Sequence, residues 1–183
     1  RLWRIGFFSF GSRQSAMETG RYDAFLQGMR ELGYVEGKNF TLESRYADGI
    51  SERLPGLAVE LLKLKPDIIV STGTPAHLAL KSAGVAVPVV IAVSADPVLD
   101  GIATSLARPG GYFTGFSSGA VELYPKHIEL LKSALPKLSR VAVLWSPVNP
   151  AHPGRLKELH GIAQKAGIQA LPVGAATASE IET

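Results

Sequence analysis

The sequence predicts an α/β protein built on a parallel sheet, and three observations carry that prediction. Short apolar runs alternate with segments whose apolar residues recur at helical spacing. Most of the runs are continuously apolar, as strands buried on both faces of a parallel sheet require. Glycines such as Gly33 and Gly167 stand where helical segments end. Right-handed crossovers then bring every strand's C-terminal end to one rim, where ligands of open α/β sheets bind.

Ile5-Gly6-Phe7-Phe8 reads as the first strand, and Tyr22, Phe25, Leu26, Met29 and Leu32 mark the first helix. Residues 39–43 alternate, as a strand at a sheet edge does. Leu54, Leu57, Ala58, Leu61 and Leu62 define the next helix, with Pro55 in its first turn. A strand over 67–70 leads through Ser71-Thr72-Gly73-Thr74 into a helix over 76–83, with Thr74 suited to cap it and Pro75 to its first position. Residues 87–92 give a fourth strand, 99–106 a short helix, and 113–116 a fifth strand. A second βα series follows: a helix over 123–135, a strand over 140–144, a helix ended by Gly167 and a strand over 168–173. The small polar stretch Ser117-Ser118-Gly119 is the expected crossing, giving lobes at 1–118 and 119–183. The chain starts abruptly at Arg1 and stops in what reads as a first helical turn, Ser179–Thr183. A fragment of a longer protein is therefore expected.

Composition narrows the function classes. With 46% hydrophobic and 19% charged residues a packed core is expected. The net charge of +3 is scattered and forms no Lys/Arg block, which argues against a nucleic-acid face. Without cysteine there is no disulfide framework, thiolate zinc site or cysteine nucleophile. His77, His127, His152 and His160 show no metal-ligand spacing. No Gly-x-Ser-x-Gly elbow, Walker-type Gly-Lys-Ser/Thr or Gly-x-Gly-x-x-Gly occurs, so neither an enzyme nor a dinucleotide cofactor is expected.

The rim loops hold the candidate contacts. They are Ser9, Phe10 and Ser12 after the first strand, Ser71–Thr74 after the third, Ala95 and Asp96 after the fourth, Ser117 after the fifth, and Asn149 in the second series. Hydroxyls and a helix N-terminus suit a carboxylate, and aromatic rings suit an apolar moiety. Capped turns without a ligand fit the same residues, and Asp96 reads either as a cap or as an amine partner. Asp100, close to Asp96, reads as a capping charge beside a short helix.

Several stretches together resemble the bacterial ABC-transporter substrate-binding protein family, in its tryptophan- and aromatic-amino-acid-binding branch. They are Arg4–Ser12, Phe25–Asn39, Ser71–Ala76, Asp96-Pro97-Val98 with Ser105–Gly111 and Thr114-Gly115, and Arg140–Leu144 with Asn149-Pro150. Tyr112 departs from the Asn that the family often has before its Thr-Gly step. The resemblance implies a Rossmann-like lobe of a type I periplasmic binding protein plus the start of a second similar lobe, with a small amino-acid-like ligand between lobes. It further implies a membrane permease as partner and a periplasmic or otherwise extracytoplasmic location, although no signal segment is present in the sequence. In that frame Ser71–Thr74 would receive a ligand carboxylate, Ser9, Phe10 and Ser12 would form the adjoining wall, and Ala95 and Asp96 would supply a backbone contact or an amine partner. Ser117 and Asn149 would border the cleft. The rival reading is an extracytoplasmic sensor or effector domain with the same fold, and a small α/β enzyme is a further alternative.

Overall fold

The apolar run near the N-terminus forms β1 (Trp3–Ser9), and the computed structural model, which describes residues 1–181, builds a sheet around it. β2 (Phe40–Tyr46), β3 (Ile68–Thr72), β4 (Val89–Ser94) and β5 (Phe113–Ser117) complete the order β2-β1-β3-β4-β5. β1 pairs in parallel with β2 and β3, and β3 pairs in parallel with β4. β2, whose sequence alternates, lies at the edge. The chain leaves β1 for β2 on one side and returns to β3 on the other. β1 and β3 therefore flank a topological switch point, where the loops beyond the strand ends diverge and leave a crevice.

The helices follow from that order. α1 (Arg13–Glu18) and α2 (Arg21–Glu31) join β1 to β2, α3 (Leu54–Lys63) joins β2 to β3, and α4 (Thr74–Ser82) joins β3 to β4. Right-handed crossovers require the first pair on one face and the second on the other. α1 accordingly packs with α2, and α3 with α4. The main core lies beneath α3 and α4. Phe8, Ile69, Val89 and Ile91 of the sheet meet Leu54, Ala58 and Leu61 of α3 and Leu80 of α4, all almost fully buried. Each large side chain buried there contributes about 1.5–3 kcal/mol, so this face dominates the unit's stability. Alternation sends Phe7 to the opposite face, where its ring centroid lies 5.5 Å from Tyr22, 6.0 Å from Phe25 and 5.9 Å from Tyr46.

That second face differs from the fully covered sheet that the apolar strands predict. Beyond α2, the apolar residues Ile68, Val70, Val90 and Ala92 line an open groove of about 620 Å³ together with Met29 and Phe116. The stretch 99–106 is also not the expected helix. It is a run of turns in which Asp100 N donates to Asp96 O at 3.1 Å, Ile102 N to Pro97 O at 2.8 Å and Thr104 N to Pro109 O at 2.8 Å. The Thr104 and Ser105 hydroxyls both bond the Arg108 carbonyl, at 2.7 and 3.2 Å, and such local bonds compete with helix formation.

The chain divides into two compact units, Arg1–Phe116 and Ser117–Thr183. In the second, α5 (Tyr124–Ala134), β6 (Arg140–Trp145), α6 (His152–Lys165) and β7 (Gln169–Gly174) follow in turn, with β6 and β7 parallel. Ile128, Ala163, Ile168 and Ala170 form its small core, and Val141 and Val143 pack toward it. Leu144, on the other face of β6, is exposed. Of the expected helical turn at Ser179–Thr183, residues 182–183 lie outside the described residues, and Ala178–Glu180 form a single 3-10 turn. No helix among the described residues is long and apolar enough to cross a membrane.

At Gly115 of β5 φ is 141°, and a Cβ would run into the Ile91 carbonyl oxygen of β4 and stand 2.7 Å from the Ile91 nitrogen. Gly115→Ala is expected to lower the unfolding free energy by at least about 1–3 kcal/mol, the cost of a strained backbone. Gly56→Ala, at a helical position with nothing within 4 Å of the added carbon, should instead raise it by about 0.5–1 kcal/mol. Urea unfolding of both variants measures the contrast, and a neutral Gly115→Ala would mean that the two backbones can move apart freely.

Candidate functional site

β1 and β3 end side by side, and the loops that leave them are bonded to each other. Phe10 N donates to Thr72 O at 3.1 Å, and Thr72 Oγ1 donates to Ser9 Oγ at 3.0 Å. Gly73, with φ 88°, passes so close to Phe10 that a Cβ would stand 2.9 Å from the Phe10 Cβ. Only glycine meets both conditions. The Ser9 and Phe10 carbonyls in turn accept from Ala47 N at 2.9 Å and Gly49 N at 2.8 Å, which ties in the end of β2. Ser9 is buried and Phe10 half-buried. Ser12 stands apart as the N-cap of α1, its Oγ accepting from Ser15 N at 3.0 Å. This six-residue helix buries no side chain, which is why no apolar pattern marks it in the sequence.

α4 starts directly above this junction. Thr74 is its first residue rather than its cap: the tight turn at Gly73 places that residue at the N-cap, and no side chain caps the helix. The Thr74 hydroxyl donates instead to Asp100 Oδ2 at 3.2 Å, and Ser94 Oγ, from the end of β4, donates to the same oxygen at 3.4 Å. A carboxylate is favoured there by the positive end of the helix. Asp100, which reads in the sequence as one more capping charge, is thus the acidic group that the fold brings to α4. Asp96 closes the turn that follows it, its Oδ1 accepting from Val98 N at 3.0 Å and Leu99 N at 2.9 Å. Ala95 lies half-buried between Ser94 and Asp96.

Ser71 and His77 lie inside the fold, both 0% exposed. The ring Nε2–H of His77 donates to the Ser71 carbonyl at 3.2 Å. Its Nδ1 and the Ser71 hydroxyl have no hydrogen-bond partner among the described residues. Burial holds the His77 pKa down to about 4, and the bond to Ser71 offsets part of that effect. In the sequence this histidine falls within the helix expected over 76–83 and shows no metal-ligand spacing. Among the described residues no three His, Asp or Glu side chains gather as a metal site.

The structure therefore brings Ser9, Phe10, Thr72, Gly73 and Thr74 together, adds Ser94 and Asp100, and leaves Ser71 wholly buried. Ser117 and Asn149 belong to the second unit. Ser117 Oγ accepts from Gly119 N at 3.2 Å, and Asn149 Oδ1 accepts from Ala151 N at 3.0 Å. Asn149 Nδ2 lies 3.1 Å from His152 Nε2. His152, Trp145, Tyr124 and Leu159 line a small pocket of about 130 Å³ within that unit.

Residues 12–183 match the profile of a family described as ABC transporter substrate binding protein. A tyrosine-binding protein of Clostridioides difficile (strain R20291) is 26% identical over 157 residues, which cover 86% of this chain and 45% of the relative. A conserved domain protein from Vibrio cholerae superposes with a TM-score of 0.83 at 25% identity, covering all of this chain and 60% of that one. The ABC domain from Streptococcus pneumonia, solved in complex with L-Trp, gives a TM-score of 0.80 at 24% identity, over 99% of this chain and 60% of that one. The chain thus spans less than two thirds of each of these relatives, and its α/β fold is that of the type I periplasmic-binding-protein group.

The state of His77 generates a pH dependence. Its folded pKa is about 4 and its ordinary value 6.5, so between these values the unfolded chain binds a proton that the folded chain excludes. Its contribution is fully present above pH 6.5 and is lost as the pH falls toward 4, by about 3 kcal/mol over the window. His77→Gln should remove that part of the slope, as urea unfolding at pH 7 and pH 4.5 will measure; an unchanged slope would mean that the ring is not held neutral.

Proposed function

The chain belongs to the ABC transporter substrate-binding protein family, and from that premise we propose that it is the ligand-holding part of a solute-binding protein that captures a small amino acid for a membrane permease. Aromatic α-amino acids are the first candidates, because one relative is described as tyrosine-binding and a structural neighbour was solved with L-Trp. The location that follows is extracytoplasmic, where such proteins deliver their solutes. Proteins of this family bind a substrate, and the role proposed is likewise to hold a ligand without transforming it.

The observation that carries the reading is the pair of opposite charges at the switch point. The start of α4 presents the positive end of a helix, and Asp100 Oδ2 lies 3.2 Å from the first side chain of that helix. An α-amino acid carries its carboxylate and ammonium on one carbon, so a positive and a negative site side by side suit a zwitterion. In this reading the turn at Thr72, Gly73 and Thr74 receives the carboxylate and Asp100 accepts from the ammonium. Phe10 offers a half-buried ring for the side chain, and Ser9, Ser12, Ala95 and Asp96 shape the surrounding wall. Ser117 and Asn149 are the proposed contacts of the second unit.

Melting temperatures of the intact protein against a panel of amino acids, sugars and nucleosides test this. A true ligand at about 100 times its Kd should add about 2.7 kcal/mol. No shift with any amino acid would overturn the reading. Asp100→Asn should weaken binding of the responsive amino acid at least about tenfold, close to 1.4 kcal/mol. The arylpropionate lacking the amino group should be indifferent to that change; if it is not, Asp100 does not meet the ammonium.

A further inference from the structure

The β3–β4 ladder slips by one residue where β3 turns into the rim loop. Ser71 pairs with Ile91 but Thr72 pairs with Val93, so Ala92 has no counterpart. Such a bulge disrupts the ladder locally and bends the strand that carries the extra residue, here β4. On that side the end of β3 loses regular pairing, while its pairing with β1 continues through Thr72 and α4 adds a hold of its own. His77 bonds the Ser71 carbonyl through its ring at 3.2 Å, and its backbone N–H bonds the Gly73 carbonyl, also at 3.2 Å. One residue therefore grips the loop before and after Thr72.

The histidine at this position both satisfies a buried acceptor and carries a cost. The ring is 0% exposed, and its Nδ1 and the neighbouring Ser71 hydroxyl are unpaired among the described residues. Buried polar atoms without partners are destabilising, and a leucine at residue 77 would remove the unpaired Nδ1. What leucine lacks is the donor to the Ser71 carbonyl.

We infer that His77 is a positioning residue for ligand binding: its ring bond to Ser71 sets the path of Thr72, Gly73 and Thr74, and with it the ligand contacts proposed for that turn. The inference rests on the reading of this rim as an amino-acid site. Two measurements on the intact protein test it, hydrogen exchange of the rim-loop amides and affinity for L-tyrosine and L-tryptophan. His77→Leu removes the ring donor, whereas His77→Gln places a nitrogen donor at the same distance along the side chain. The Leu variant should exchange its rim-loop amides at least about tenfold faster while α3 is unchanged, and should bind at least about tenfold more weakly. The Gln variant should stay within about threefold of the wild type in both. Unchanged rim exchange or affinity in the Leu variant overturns the inference, as does equal acceleration in α3 or a Gln variant no better than Leu. If the wild type binds neither amino acid, the amino-acid reading falls, and the exchange contrast alone decides the role of His77.

Discussion

The close approach of Gly73 to Phe10 is the constraint on which the site depends. It exists because β1 and β3 are neighbours although the chain visits β2 between them. Once that adjacency is set, the Phe10–Thr72 backbone bond and the Ser9–Thr72 hydroxyl bond follow, and the two loops become one surface. A side chain at residue 73 would push the loops apart and take the start of α4 away from the end of β1. The switch point is therefore a specific set of contacts as well as a topological feature.

The acidic residues show how one turn prepares another contact. Asp96 spends its carboxylate on the amides of Val98 and Leu99, and its own carbonyl accepts from Asp100 N. That local turn carries the Asp100 carboxylate to Thr74 and Ser94. Asp96 shapes the loop and Asp100 supplies the charge at the helix end. Both roles are electrostatically sound, because each carboxylate meets donors or a helix N-terminus rather than another acid.

The two faces of the five-stranded sheet are unequal. Phe8, Ile69 and Ile91 are sealed beneath α3 and α4, whereas Ile68, Val70 and Val90 on the reverse face border an open groove. The strands are nevertheless apolar on both sides, as those of a sheet covered on both faces are. Leu144 in β6 repeats this condition in the second unit. Ile68, Val70 and Val90 remain only half-buried and contribute less than the sealed residues, so the first unit is held mainly from the face that α3 and α4 cover.

The alternation of strands and helices, the edge position of β2 and the placing of Ser9, Phe10 and Thr72 at a common rim were all legible in the sequence. They depend on periodicity and on the handedness of crossovers, which are local or universal properties. Residues 99–106 have the apolar spacing of a helix but form turns, because the Thr104 and Ser105 hydroxyls bond the backbone instead. Thr74 has the residue type of a cap, but the tight turn at Gly73 moves the cap one residue back. By itself the sequence determined the family, the parallel sheet and which loops leave the strand ends on one rim. Only the tertiary structure decided that Asp100, and not Asp96, reaches α4, and that His77 holds Ser71 within the interior. Those partners are chosen by how strands and helices pack, across separations that no sequence period encodes.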